Sequence, residues 1–326
     1  MNIETQVRIA FLSNKLTLRG TEIAMYDYAD YNETILNNKS IIITRNYNIV
    51  KGQYDVSEDA YNKFINRFQI EYYYTQNDID HIVEKNKITH LYIIKAGNWD
   101  GLLSTKCKNL IHCVFNTNNP HGQIYSVISN EVNRLCNTNF PVVPHMIRVD
   151  DSHDNYRKLL NIPDNSIVFG RYGGKETFDI TFVHEVIKQL LIKRNDIYFI
   201  FMNTDIFYNH KNIFYINGTT NMNIKKIFIN TCDALLHARK DGETFGLTCG
   251  EFAVCLKPVI TYGQSKENNH IDILKHQAIL YNNFNELYTI LNEFYVNKYD
   301  MTNNGYLEYT PTNVMTIFNN IYLTNL

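Results

Sequence analysis

Glu243 and Glu251 bracket a compact segment, Thr244-Phe245-Gly246-Leu247, in the stretch DGETFGLTCGEFAVCLKPVIT that runs from Asp241 to Thr261. If a helix starts near Phe245, Glu243 lies just before its amino end and Glu251 about 9 Å further along the axis, at 1.5 Å per residue. The amides of Phe245, Gly246 and Leu247 would then lack helical partners and face an anion. A nucleotide-diphosphate sugar has roughly that reach: the diphosphate on the amides, sugar hydroxyls on Glu243, ribose hydroxyls on Glu251 in charge-assisted hydrogen bonds. The plainer alternative is that Glu243 caps the helix and Glu251 faces solvent. The apolar neighbours Cys249, Phe252 and Ala253 speak against it.

Three further turns carry chemistry-bearing residues. FGRYGGKETFD places Arg171 and Lys175 around Gly170, Gly173 and Gly174. A guanidinium fork and a point charge suit phosphate oxygens; a flexible surface turn with two solvated cations is the competing reading. In SNKLTLRGTE, Gly20 lets a backbone approach a ligand at a helix start, though an ordinary strand-to-helix loop would look the same. In FNTNNPHGQ, His121 lies in a turn with an exposed imidazole that could meet a sugar or phosphate. His237 is the second histidine candidate, with a structurally bonded strand histidine as an equal reading. Asp78-Ile79-Asp80 lies within a helical pattern, and Asn268-Asn269-His270-Ile271-Asp272 lacks metal-ligand spacing to a partner. HExxH, GxxxxGK[ST], GxSxG and GxGxxG are absent.

The elements that must position these residues alternate. Short β-branched or aromatic runs (VRIAFLSN, SIIITR, HLYIIKA, LIHCVF) are separated by helical periods, with Thr21 as the expected cap of the first helix. The rhythm restarts at SIVFGRY and closes with NFNELYTILNEFY. Such alternation predicts parallel sheets with helices on both faces. Two prolines and the polar run DDSHDNYRK place a boundary near Asp150. The expected organisation is therefore an α/β half over 1–150, a second over 151–310, and a helix over 311–326 packing back on the first half. Doubly wound sheets facing a cleft bind ligands at their strand carboxyl ends.

Composition excludes several classes. A net charge of −2 over 326 residues gives no support for nucleic acid as partner. No apolar run approaches the roughly 20 residues of a membrane span. The charged start MNIETQVRIAFLSNK does not read as a secretion signal. Six cysteines without a CxxC pair point to free thiols in the reducing cytoplasm.

These residues resemble a known family, the retaining GT-B glycosyltransferases of the family 4, or group 1, type. Its pattern is a strand ending in Gly-Arg, a later Lys, a Glu-x7-Glu pair enclosing Gly-Phe-Gly-Leu, and then Lys-Pro-Val-Ile. Here these are Gly170-Arg171, Lys175, Glu243 and Glu251 around Thr244-Phe245-Gly246-Leu247, and Lys257-Pro258-Val259-Ile260. The family's first-half Gly-Gly-x-Glu is similar to Arg19-Gly20-Thr21-Glu22. The resemblance implies two Rossmann-like domains and a nucleotide-diphosphate-sugar donor, with transfer to an acceptor hydroxyl that retains configuration. It implies no cofactor and no metal. Arg171 and Lys175 would neutralise the leaving diphosphate, Glu243 would hold the sugar and Glu251 the ribose. Tyr215-Ile216-Asn217 would lie near the base, and His121 near the reacting sugar. The alternatives are a nucleotide-sugar epimerase or phosphorylase on the same architecture, or a non-catalytic nucleotide-sugar-binding homologue.

Overall fold

A computed structural model describes residues 6–324. The chain forms two compact units, one of residues up to 146 together with those from 309 on, the other of residues 147–308. Among the described residues no helix is long and apolar enough to cross a membrane.

The first unit runs β1 (Arg8–Leu12), α1 (Gly20–Thr34), β2 (Lys39–Thr44), α2 (Tyr47–Val50), α3 (Glu58–Ile65), β3 (Gln69–Tyr72) and α4 (Gln76–Lys85). It continues through β4 (His90–Lys95), β5 (Lys108–Cys113), β6 (Ile124–Val127) and α5 (Asn130–Cys136). Its six strands pair in parallel in the order β3-β2-β1-β4-β5-β6. The runs IAFL and SIIIT are buried along their whole length, the signature of strands covered on both faces. At the start of α1 the cap position is Arg19, one residue earlier than Gly20, and not Thr21. Thr21 instead donates its hydroxyl to Glu22 (3.0 Å), whose carboxylate also accepts from Thr17 and Ser13.

The second unit holds β7 (Ile167–Tyr172), α6 (Thr181–Lys193), β8 (Ile197–Met202), β9 (Ile213–Ile216), α7 (Met222–Thr231) and β10 (Ala234–His237). There follow β11 (Gly242–Glu243), α8 (Leu247–Val254), β12 (Val259–Tyr262), β13 (Glu267–Asn268), α9 (Asn269–Leu274), β14 (Ala278–Tyr281) and α10 (Phe284–Asn292). The main sheet is again six-stranded and parallel, ordered β14-β12-β10-β7-β8-β9, with β11 and β13 forming a small pair of their own. From β7 the chain builds β8 and β9 on one side, then crosses to lay β10, β12 and β14 on the other. The core of this unit is rich in phenylalanines, with Phe199 stacked on Phe201 and tilted against Phe169.

After residue 308 the chain returns to the first unit as α11 (Pro311–Phe318), opened by Thr310, whose hydroxyl accepts from the Asn313 amide, and by a proline in the first turn. Its apolar stripe, Val314, Met315 and Phe318, is fully buried. The Phe318 ring stacks on Tyr28 at 5.4 Å and leans on Tyr92 at 5.5 Å, while Tyr322 hydrogen-bonds Ser126. Phe318→Ala opens a cavity in that aromatic cluster and is expected to lower the unfolding free energy by about 3–4 kcal/mol. Urea titration reads the loss; a change below about 1 kcal/mol would show that the tail contributes no core packing.

Candidate functional site

In the second sheet the strand order reverses between β7 and β10, and doubly wound sheets open their ligand crevice beyond the strand carboxyl ends at that point. The turn after β7 carries Lys175, and β7 itself ends at Arg171 and Tyr172. The segment after β10 carries Glu243 and Thr244 to Leu247.

Glu243 is the centre of this region. Its Oε1 lies 3.2 Å from His237 Nε2, and its Oε2 accepts from the Arg239 guanidinium at 3.1 Å. Pairing of β11 with β13 sets its backbone opposite Asn268. Burial alone would raise its pKa. The hydrogen bond from His237 and the charge of Arg239 outweigh burial and hold the carboxyl at about 2. Its side chain keeps 26% of its surface exposed, so this anion is reachable.

Behind Glu243 runs a buried polar chain. His237 Nδ1 is 2.8 Å from the Thr261 hydroxyl, which is 2.8 Å from His270 Nε2. The register of β10 on β12, His237 against Thr261, creates the first contact. Burial, reinforced by His237, pushes His270 down to about 3, so its imidazole is neutral. One proton arrangement of this polar chain presents a donor to Glu243. His270 Nε2–H donates to Thr261, the Thr261 hydroxyl donates to His237 Nδ1, and His237 Nε2–H donates to the carboxylate.

Helix α8 starts at Leu247, later than the expected Phe245. Gly246 occupies the cap with φ +86°, and a Cβ there would meet His270 Cβ and the Tyr306 hydroxyl oxygen at 2.9 Å each. Helical pairing begins with the Gly250 amide, which bonds Gly246 (3.0 Å). The amides without helical partners at the helix start are therefore those of Gly246, Leu247, Thr248 and Cys249, while Phe245 lies before the cap. Phe245 is buried, and its carbonyl accepts from Tyr306 (2.6 Å); Thr244 is buried beside it. Glu251, in the second turn, neither faces solvent nor stands open. It is 4% exposed, accepts from the Tyr172 hydroxyl and lies 3.7 Å from Lys225 Nζ.

The paired cations of the β7 turn separate. Arg171 is 4% exposed and spends its guanidinium on the turns themselves: Asn203 carbonyl (3.1 Å), Thr204 hydroxyl (2.5 Å), Gly174 carbonyl (2.7 Å) and Thr177 hydroxyl (2.6 Å). Lys175 projects to the surface, 3.4 Å from Asp205. Gly170 lies within β7, where a Cβ would overlap the Cys232 sulfur, so its bareness serves packing and not a ligand. Arg239 is the cation on Glu243; it lies in the HARKDGE segment but attracts no notice from spacing alone. Thr261 and His270 are equally invisible in sequence, since only strand pairing and α9 bring them to His237.

Ile216 closes β9, the edge strand two places from β7. Gly20 and His121 belong to the first unit. Gly20 is the first residue of α1. His121 is not the open imidazole expected: its ring packs edge-on against Trp99 at 4.8 Å, Nδ1 sits 2.5 Å from the Asn119 carbonyl, and Nε2 is buried without a partner.

No protein-family model matches the sequence, and no curated protein matches it either. Solved structures do. A glycosyltransferase from Rickettsia africae ESF-5 superposes with a TM-score of 0.68 at 14% identity, over 98% of this chain and 100% of that one. Anabaena Alr3699/HepE in complex with UDP and glucose gives 0.69 at 13% identity, over 98% and 99%. A putative UDP-N-acetylglucosamine 2-epimerase from Listeria monocytogenes gives 0.53 at 12% identity, over 87% of each chain. With its two six-stranded parallel sheets, the chain has the α/β fold of the GT-B glycosyltransferases.

One neighbour of Glu243 makes the local electrostatics measurable. Glu267, opposite Gly242 in β13, has a buried Oε2 without a partner. Burial raises it, Arg239 pulls it back, and Glu243 and Asp241 push it up again, leaving it at about 7 against an ordinary 4.5. Between those values the folded protein keeps a proton that the unfolded chain releases, so stability falls as pH rises from 4.5 to 7. Glu267→Gln removes that slope. The variant should exceed the parent by about 1 kcal/mol at pH ~8, with solvent screening discounted, and match it near pH ~4.5. Urea midpoints at both values decide; an equal or less stable variant at the higher pH would show that the carboxylate ionises there unopposed.

Proposed function

We propose that the protein is a glycosyltransferase that moves a sugar from a nucleotide-diphosphate sugar to an acceptor hydroxyl with retained configuration and without a metal. The observation that carries this is Glu243, an exposed-edge anion clamped by His237 and Arg239 at the reversal point of the second sheet, directly before the unpaired amides of α8. The amides of Leu247 to Cys249 would receive the diphosphate. Arg239 commits one N–H to Glu243 and offers the rest of its fork to phosphate oxygens. Lys175 would leave its exposed pairing with Asp205 for the leaving phosphate at little cost. Arg171 contributes by holding the β7 turn. Glu243 would take sugar hydroxyls, Glu251 would take the ribose once its contacts with Tyr172 and Lys225 open, and Ile216 would meet the base. From the first unit, Gly20 and His121 are the residues proposed to act. The UDP and glucose bound to Anabaena HepE support a UDP-linked hexose as the donor.

The state of Glu243 also bears on mechanism. A carboxylate held at about 2 between two N–H donors is a weak base and a weak nucleophile. It suits holding hydroxyls better than attacking carbon. The leaving phosphate oxygen would then take the acceptor proton on the face it departs from, and the protein supplies position and charge. The free cysteines suit a cytoplasmic setting. The Listeria neighbour motivates one second reading, a nucleotide-sugar epimerase.

The test is a melting-temperature screen against UDP-, GDP-, ADP- and dTDP-sugars, followed by product analysis without acceptor. One donor, expected to be a UDP-hexose, should raise the melting temperature and release free sugar slowly. Glu243→Ala should cut that release by about 100-fold or more, and Arg239→Ala should raise the donor KM. An epimerised product would establish the second reading; no shift with any donor would remove the proposal.

A further inference from the structure

We infer that His237, Cys249 and His270 form a binding site for a thiophilic divalent cation of the zinc class, and that the cation, once seated, draws His237 away from Glu243. The binding half stands on geometry alone; the second half rests on the function proposed above.

The three residues are buried, and their ligand-capable atoms all lie within 4.8 Å of one another. They come from the end of β10, the first turn of α8 and the start of α9, all within the second unit. Zinc bonds of about 2.0–2.3 Å keep tetrahedral ligand atoms roughly 3.3–3.8 Å apart, so the set closes with side-chain shifts of about 1 Å. The set of two imidazoles and one thiol favours zinc over magnesium or calcium.

An independent observation points into the same place. His270 is fully buried, yet its Nδ1 has no hydrogen-bond partner. With the hydrogen on Nε2, as in the proton arrangement above, Nδ1 is the nitrogen whose lone pair a cation would take. A buried acceptor with nothing to accept from is uncommon, and a cation satisfies it. Thr261 then serves both histidines. With metal on His237 Nε2 and His270 Nδ1, the opposite nitrogens both donate to the Thr261 hydroxyl oxygen, which has two lone pairs. His270 already has the tautomer required. His237 exchanges its Nε2 hydrogen for one on Nδ1, and the Thr261 hydroxyl hydrogen turns away. A metal–sulfur bond forms as the Cys249 S–H breaks, and that proton, the only one lost, passes to water. Glu243, partly exposed and 3.2 Å from His237 Nε2, marks the way in and can supply a fourth ligand.

The experiment uses the full chain stripped with EDTA and titrated with Co²⁺, then Zn²⁺. Expected is one equivalent of Co²⁺ with a thiolate-to-cobalt charge-transfer band that Zn²⁺ abolishes. Cys249→Ser should lose the band while Cys232→Ser and Cys255→Ser keep it. His270→Gln should weaken binding at least about tenfold. Circular dichroism and melting temperature verify that each variant is folded, and the His270 variant decides if the Cys249 variant is not. No charge-transfer band, or a band that survives in Cys249→Ser, overturns the site. Zn²⁺ should also slow sugar release from the donor; binding without slowing overturns the inhibitory half alone. If no donor is turned over, the spectrum still decides the site.

Discussion

A carboxylate shared between an imidazole and a guanidinium is the interaction on which the second unit's chemistry depends. Glu243 is drawn into protein, and removing an anion from water is unfavourable unless donors replace the water. His237 and Arg239 are those donors. His237 and Glu243 are in turn fixed by something larger, His237 by the pairing of β10 with β12 and Glu243 by the pairing of β11 with β13. Because such a pair is costly to break from one side, the backbone around it has little freedom. A charged group can then meet a ligand without first rearranging, which is what electrostatic preorganisation requires.

The turn after β7 is held by a different device with the same result. Arg171 has lost its water and gives its N–H groups to two carbonyls and two hydroxyls that span the turns after β7 and β8. Burial, opposed chiefly by Glu243, lowers its pKa to about 10, so it remains a cation. A cation used as a strut adds positive potential beside the crevice while its geometry serves the loops. Lys175, exposed at the surface and 3.4 Å from Asp205, is held by no such convergence of carbonyls and hydroxyls among the described residues.

The layered α/β plan was legible because its signal is repetitive. Short continuous apolar runs such as IAFL and SIIIT fit strands covered on both faces, and their alternation with helical periods points to parallel sheets. The Glu243 region was legible as a place, since an acidic residue followed by Phe-Gly-Leu marks a strand-to-helix turn. Its contents were not. Whether Glu251 meets solvent, a ligand or Tyr172 depends on which way α8 is rotated, and Gly246 in a left-handed conformation shifts that start. His270 has no partner at metal-ligand spacing in the sequence, because 33 positions separate it from the ring it reaches through Thr261. Spacing rules describe ligands on one helix or loop; they are silent about residues that two strands and a short helix bring together. For the same reason Arg171 read as a free cation: sequence shows a charge but not how many carbonyls will converge on it.

The return of the chain to its first unit carries a consequence for biogenesis. Residues 309–324 supply Val314, Met315, Phe318 and Tyr322 to a core whose other members lie before residue 147. During synthesis that core stays incomplete until the whole of the second unit has left the ribosome. Tyr28 and Tyr92 thus spend that interval without their aromatic cover, a sticky surface of the sort chaperones guard. The second unit, continuous in sequence, has no such wait. Vectorial synthesis would therefore let the half bearing Glu243 mature first and leave the half encoded earlier to finish last.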